Sequence, residues 1–421
     1  MMHLNKKNAH KSQLEQQSKI KFDLHLPLIL IHTPYGLRFF DKVSKTRAAR
    51  FYAKFNTYLM PLITLMALFL IIGSVAALFS SETIREGARG VGPQANLLIP
   101  GLNPYLPIWE GWIALVVTII VHEAGHGIIA RVYGVKVEST GIVLFLGIPI
   151  GAFVNIERDE LNRISTKQRS SILTAGPMTN IILGALSLFV ILLITSTLVI
   201  TKPMDPGLFG VVITNVNPGS LAQSIGLVKG STIQQIQGVD VRNPVELNDN
   251  LNSNLGKTID IGIVSESGEK SVKQATLPAQ REPGKGILGV AITPVADPKE
   301  VLDRYNSMVF TSPLGLLAPP TFVQGMVPYS DFMADKYTSP IFGSYYTIPA
   351  NLFFWLWFIN FNVAIFNALP IGPLDGGQLY NSLIDKKTEN RKGWSRHASK
   401  ILTYGMVIIV VLSIALPYLL K

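Results

Sequence analysis

The sequence contains no cysteine. That absence excludes disulfides, a thiol nucleophile and thiolate metal ligands, so any metal must be held by His, Asp or Glu. Charge is scarce as well: 15% of the 421 residues are charged and 48% are hydrophobic, with a positive mean hydropathy of +0.34. Such a composition is unlike that of an ordinary soluble domain and points to several membrane spans plus some soluble mass. Histidine is limited to seven positions. No cleavable signal peptide is expected, because the first long apolar run begins near residue 57, and it reads as a retained helix.

A net charge of +10 raises the question of a nucleic-acid partner. Its distribution argues against one. Residues 1–56 hold eleven Lys and Arg against three acids, directly before the apolar run. In a membrane protein this asymmetry marks the cytoplasmic side. No folded nucleic-acid-binding motif accompanies it, so no nucleic acid is expected as a partner.

A spanning helix needs about 20 apolar residues. Runs at 58–79, 107–133, 172–200, 348–369 and 401–420 meet that requirement. The expected fold is therefore a polytopic α-helical membrane protein of about five spans. With the basic N-terminus inside, loops 134–170 and 376–400 also fall inside. They carry Lys136, Arg158, Arg163, Lys167 and Arg169, and Lys386, Lys387, Arg391, Lys392, Arg396 and Lys400. Loop 80–106, with Arg85 and Arg89, and segment 201–345 fall outside. The segment 141–154 is apolar but too short to span, and its glycines and Pro149 disfavour a helix. Two readings stay open: a β-hairpin dipping into the membrane, or a pair of strands on the cytoplasmic face.

One apolar run contains His122-Glu123-Ala124-Gly125-His126. Two His at i and i+4 lie about 40° apart around a helix and one turn along it. Their imidazoles can bind one zinc from the same face. Glu123 projects beside them, where a carboxylate can take a proton from a metal-bound water and later return it. The bland alternative is a chance match on a soluble helix. The flanks Trp112-Ile-Ala-Leu-Val-Val-Thr-Ile-Ile-Val121 disfavour it, because two His and a Glu in such a run are costly unless they face a cavity or a metal.

A catalytic zinc generally has three protein ligands and one open position. Four of the seven His lie before residue 33, and His397 sits in a basic loop. With Cys absent, an acid must be the third ligand. The best candidate is Asp375, in Asn367-Ala-Leu-Pro-Ile-Gly-Pro-Leu-Asp375-Gly-Gly. Pro370 and Pro373 break the helix there and let a carboxylate turn inward. A plain helix stop followed by an Asp-Gly turn would use the same residues. The span order favours the ligand reading, since it brings both motifs to the same side of the membrane.

These residues resemble the site-2 protease family of intramembrane zinc metalloproteases. The match rests on HEAGH in one span and on Asn367, Pro370 and Asp375-Gly376 in a later one. Ala175-Gly176-Pro177 and Asn180 also resemble the family's intervening helix. The resemblance implies zinc held by His122, His126 and Asp375, with Glu123 as acid and base. It further implies that Asn367 lies near the site and steadies an oxyanion. The implied substrates are membrane-spanning segments of other proteins, often already cut once outside the membrane. The family's apolar β-hairpin after the HExxH helix makes the membrane-dipping reading of 137–156 the more attractive one.

The expected organisation follows from these points. Residues 1–56 form a basic cytoplasmic segment, partly disordered, in which 37–55 can form a surface helix. The first membrane helix is 57–80. The first part of the catalytic membrane core is 107–200. Residues 207–295 turn polar and strand-like, and Asn217-Pro218-Gly219-Ser220 with Lys229-Gly230 resembles PDZ domains of bacterial proteases. Such domains bind a peptide by strand addition. A circular permutation would put the carboxylate loop at Leu288-Gly289-Val290. A size filter over the active site is an equal alternative. Residues 296–345 are a Pro-rich linker or lid, and 346–421 complete the core. Competing functions are a membrane-anchored zincin cutting soluble segments, a non-catalytic PDZ-bearing receptor and a metal transporter. The oligomeric state is not legible.

Overall fold

The computed structural model describes residues 20–202, 207–281, 286–387 and 392–420. Its principal helices, in chain order, are α1 (Leu37–Ser44), α2 (Arg47–Ser80), α3 (Ile108–Val132), α4 (Thr166–Ser196), α5 (Pro244–Ser253), α6 (Pro298–Thr311), α7 (Thr347–Asn367), α8 (Asp375–Lys387) and α9 (Lys392–Leu419). Among the described residues, five helices are long and apolar enough to cross a membrane: Arg47–Ser80, Ile108–Val132, Thr166–Ser196, Ser344–Asn367 and His397–Leu419. These are the five expected spans, and the chain is a multi-pass membrane protein. Helices are favoured in such runs because each backbone N–H and C=O finds its partner within the same segment.

The chain divides into two compact units. The first holds the chain up to Ser80, Gly111–Leu186 and Leu356–Leu419. Helix α4 begins with a capping box, the Ser165 N–H donating to Gln168 Oε1 at 3.1 Å and the Gln168 N–H to Ser165 Oγ at 3.4 Å. Polar groups on α2 tie that helix to α4. Asn56 Nδ2 donates to the Ser171 carbonyl at 2.7 Å, and Ser171 Oγ donates to the Ala53 carbonyl at 2.6 Å. Each satisfies a buried group that would otherwise be orphaned.

The first unit also contains a four-stranded antiparallel sheet. Its strands β1 (Lys21–His25), β2 (Leu28–Thr33), β3 (Val137–Phe145) and β4 (Ile148–Ile156) run in that spatial order. The segment expected at 137–156 is the β3–β4 hairpin. Leu146 and Gly147 both have positive φ, at 50° and 85°, as a two-residue hairpin turn of this twist requires. Gly141 on β3 leaves room for the Phe153 ring and the Ile31 carbonyl, which a Cβ would strike. The N-terminal segment contributes more structure than its composition suggested. Residues 21–33 form the hairpin that pairs with β3, from Leu28 opposite Phe145 to Thr33 opposite Thr140. The surface helix expected at 37–55 is divided: α1 ends at Ser44, and the remainder begins α2.

The second unit holds Ser81–Glu110 and Ser187–Trp355. Strand β5 (Val199–Ile200) leads to β6 (Val211–Val216), β7 (Thr232–Ile236), β8 (Val239–Asp240), β9 (Thr258–Val264), β10 (Lys270–Thr276) and β11 (Val290–Pro294). The main sheet has the order β10-β9-β7-β6-β11, with β8 paired to β7. Ile213, Ile233, Ile236, Leu251 and Ile261 lie at the centre of its core. Asn243 caps α5, its Oδ1 accepting from the Glu246 N–H at 2.9 Å. The inserted mainly-β domain thus has its own core.

The stretch 296–345 is folded rather than extended. Tyr305, Tyr329 and Tyr346 are buried, and the hydroxyls of Tyr305 and Tyr329 lie 2.6 Å apart. Burial raises the pKa of both phenols and keeps them neutral. Tyr337 donates to the Pro298 carbonyl at 2.7 Å, and the short strand β12 (Tyr337–Thr338) pairs with β5. Proline density reads as a loop in sequence, but the tyrosines supply buried area and hydrogen bonds.

Ile213 is fully buried in the β domain. Its replacement by Ala is expected to cost about 2–5 kcal/mol of local stability. Limited proteolysis of the full chain should then cut faster within 207–295, and an unchanged rate would remove this cluster as the domain's core.

Candidate metal centre

Helix α3 carries His122, Glu123 and His126, and their spacing puts both imidazoles on one face. The rings sit edge to face, 4.9 Å apart and 75° inclined. Asp375 comes from elsewhere in the chain. Helix α7 ends at Asn367, the backbone leaves the helix through 368–374, and α8 starts at Asp375. A carboxylate in the first turn of a helix also faces the positive end of its dipole.

Three ligand atoms meet in a small triangle. His122 Nε2 is 3.1 Å from Asp375 Oδ2, His126 Nε2 is 3.4 Å from it, and the two Nε2 atoms are 3.2 Å apart. Zinc bonds nitrogen and oxygen at about 2.0–2.1 Å, so ligands at tetrahedral corners lie roughly 3.3 Å apart. The triangle is thus the size of one face of a zinc tetrahedron. Among the described residues this is the group of His, Asp and Glu side chains close enough to hold one ion.

Close backbone approach makes room for the group. A Cβ on Gly176 of α4 would strike the Nε2 atoms of both histidines. A Cβ on Gly125 of α3 would lie 2.8 Å from the Ala175 carbonyl oxygen, so α3 and α4 touch there. His126 Nδ1–H donates to the Ile172 carbonyl at 2.7 Å. That bond leaves Nε2 unprotonated and aimed at the triangle, the arrangement common to metal-ligating histidines.

The Asp375 loop is held from several sides. Thr64 on α2 donates to the Ala368 carbonyl at 3.0 Å, and Tyr380 donates to Thr64 Oγ1 at 2.8 Å. The Gly372 N–H donates to Thr403 Oγ1 on α9 at 3.1 Å. Gly376 and Gly377 pack where a Cβ would meet the carbonyls of Ala368 and Ile371. The Asp-Gly-Gly run is therefore a close-packed helix start, not only a turn.

Glu123 lies beside the triangle, and its Oε2 accepts from the Val154 N–H of β4 at 3.0 Å. Asn367 does not join the cluster by hydrogen bonding. Its Nδ2 donates to the Val363 carbonyl of its own helix at 3.0 Å. Leu288, Gly289 and Val290 belong to the second unit, where the first two offer their carbonyls to the N–H groups of Ala222 and Asn217. Sequence reasoning missed the backbone partners of the site, Ile172 O and Val154 N–H, and the threonines that hold the loop. Gly176 was visible as part of a motif, but its reason is a contact made only in three dimensions.

Two histidines on a helix of spanning length, joined by a carboxylate just after a second such helix, fit a membrane zinc metalloprotease. A sequence model of peptidase family M50 matches residues 110–413, across both ligand-bearing segments. The chain belongs to that family, the site-2 proteases. It is similar to an uncharacterised protein of Methanocaldococcus jannaschii, 25% identical over 91% of this chain and 86% of that protein. A Clostridium acetobutylicum protein named "Putative zinc metalloprotease" is 26% identical over 72% of this chain and 93% of its own length. An Arabidopsis thaliana protein named "Probable membrane metalloprotease", chloroplastic, is 22% identical over 73% and 78%. When bound, zinc supplies a Lewis acid and lowers the pKa of a coordinated water to about 7.

Two substitutions test the centre, with zinc content read on the purified full chain. Asp375→Ala is expected to lose tightly held zinc, and a full complement would remove Asp375 from the ligand set. Gly176→Ala is expected to weaken zinc on the order of tenfold or more, the scale seen when groups around metal ligands are disturbed. Unchanged affinity would show that the space beside the histidines is not needed.

Proposed function

We propose that this chain is an intramembrane protease that hydrolyses peptide bonds in or next to the membrane-spanning segments of other proteins, as a step of regulated intramembrane proteolysis. One observation carries the reading. His122 lies 14 residues after the start of α3 and 10 before its end. At a rise of 1.5 Å per residue that is about 21 and 15 Å from the two ends, against a hydrocarbon core of about 30 Å. A peptide bond that reaches this depth comes most directly from within the bilayer.

The proposed chemistry assigns His122, His126 and Asp375 as zinc ligands. Glu123 takes a proton from the attacking water and returns it to the leaving amine nitrogen. The Val154 N–H holds that carboxylate in place until substrate arrives. The amide of Asn367 has a second hydrogen beyond the one given to Val363 O, and this is the donor proposed for the oxyanion. A substrate helix must unwind before attack. The outer edge of β4, which adjoins Glu123, is the surface proposed to pair with the extended segment.

The charge distribution supports a cytoplasmic N-terminus and a β domain on the outer side. The proposed sheet dips into the bilayer at its apolar turn, where Leu146 is 71% exposed. The domain 207–295 is proposed as PDZ-like. Its strand β11 lies at the sheet edge and begins at Val290, directly after Leu288-Gly289, which supports capture of a peptide end there. Pre-cleaved membrane proteins and lipid are the proposed partners.

Glu123→Gln in proteoliposomes is expected to lower cleavage by about 10²–10⁴-fold, while zinc content stays full. Unaltered proteolysis would reject Glu123 as the acid and base. Mapping the cut by mass spectrometry should place it inside the substrate's spanning segment, and cuts confined to soluble loops would reject the intramembrane reading.

A further inference from the structure

The two histidines differ in what meets their second ring nitrogen. His126 Nδ1–H has the Ile172 carbonyl. His122 Nδ1 faces the side chain of Asn180, also on α4, with the amide nitrogen Nδ2 3.0 Å away. Asn180 is fully buried, and among the described residues its Oδ1 has no hydrogen-bond partner. Those two facts conflict with the ligand triangle. If the Asn180 NH₂ donates to Nδ1, the ring carries its proton on Nε2, the atom that points at Asp375 and His126. A protonated Nε2 cannot bind a metal.

A carboxamide exchanges its oxygen and NH₂ by a half-turn about its terminal bond, and the surrounding network decides which faces where. With the half-turn, Oδ1 accepts from His122 Nδ1–H. That single change gives the unpartnered oxygen a donor and frees the Nε2 lone pair. It also makes the two histidines equivalent. Each then donates Nδ1–H to an acceptor on α4, Ile172 O or Asn180 Oδ1, eight residues apart on either side of Gly176.

We infer that Asn180 is a positioning residue for the metal centre, whose carboxamide oxygen accepts the His122 Nδ1–H and fixes the tautomer and ring orientation in which Nε2 binds the ion. The inference rests on the zinc-ligand reading of His122. Helix α4 then acts as the common outer support of both histidines: it supplies their acceptors and, at Gly176, the space between them. A buried His122 Nδ1–H needs an acceptor, and of the two ends of the carboxamide only the oxygen can accept.

The test separates the acceptor from mere packing. Zinc affinity is measured by chelator competition on the full chain in detergent, for wild type and for Asn180→Asp, Asn180→Leu and Asn180→Ala. Asp can only accept, whereas Leu keeps the volume without an acceptor. The Asp variant is expected to stay within about threefold of wild type, and the Leu and Ala variants to bind about 10–100-fold more weakly. An Asp variant as weak as the Leu variant, or a Leu variant equal to wild type, would overturn the inference. Melting of the zinc-free proteins checks that each folds. Should the apolar variants fail to fold, wild type decides through a ¹⁵N-histidine spectrum of the zinc-free protein, with His122 assigned from its loss in His122→Gln. A proton on Nδ1 is expected there, and a proton on Nε2 with Nδ1 bare overturns the proposal. If wild-type zinc persists in His122→Ala, the ligand reading of His122 fails instead, which is a different outcome from failure of Asn180.

Discussion

Three electron-pair donors from two distant parts of the chain must meet in a triangle about 3 Å on a side, deep among apolar helices. That requirement governs much of the first unit. Two imidazoles come free with one helix turn, but the carboxylate does not. It has to be brought in on irregular backbone, and irregular backbone in an apolar layer leaves N–H and C=O groups in want of partners. Close approach is the second requirement, because ligands this near one another leave no room for ordinary side chains around them. Gly125, Gly176, Gly376 and Gly377 each stand where a Cβ would strike a neighbour.

Outlying helices supply the missing partners. Thr64 of α2 and Thr403 of α9 bond the backbone of the 368–374 stretch, one to a carbonyl and the other to an N–H. These spans carry no part of the ligand set. Their apolar runs suit them to lipid, and only 22% and 17% of their spanning windows are buried. Yet their isolated hydroxyls hold the segment that presents Asp375. Where packing shuts out water, as at Ala368 and Leu369, a single threonine can fill a need that an exposed loop would leave to solvent.

The sheet of the first unit meets the site at a backbone group, the Val154 N–H on Glu123. An edge strand has free N–H and C=O groups on one side, and these normally invite another strand. Here one of them is occupied by the carboxylate that stands next to the ligands. The second unit is organised differently. Its β domain rests on a conventional aliphatic core, and the 296–345 stretch rests on tyrosines whose hydroxyls are bonded to one another and to backbone.

Much of this was legible along the chain. The five spans follow from apolar runs of sufficient length, because a helix in lipid needs only its own residues to satisfy its backbone. His122, Glu123 and His126 follow from a one-turn spacing, which is also local. The β3–β4 hairpin and the inserted β domain follow from changes in composition. Elimination reached only an acid, since Cys is absent and the other His are badly placed; Asp375 was chosen from the helix break around it, the span order and the family resemblance. The triangle itself was decided by the tertiary structure, and so were Gly176, Ile172 O, Val154 N–H, Thr64, Thr403 and the side chain of Asn180. So was the N-terminal hairpin, whose pairing partner lies more than 100 residues away. The reason is the same in each case. A local pattern specifies what a residue does to its own helix or strand, but hydrogen bonds and steric limits between distant segments exist only once those segments have packed.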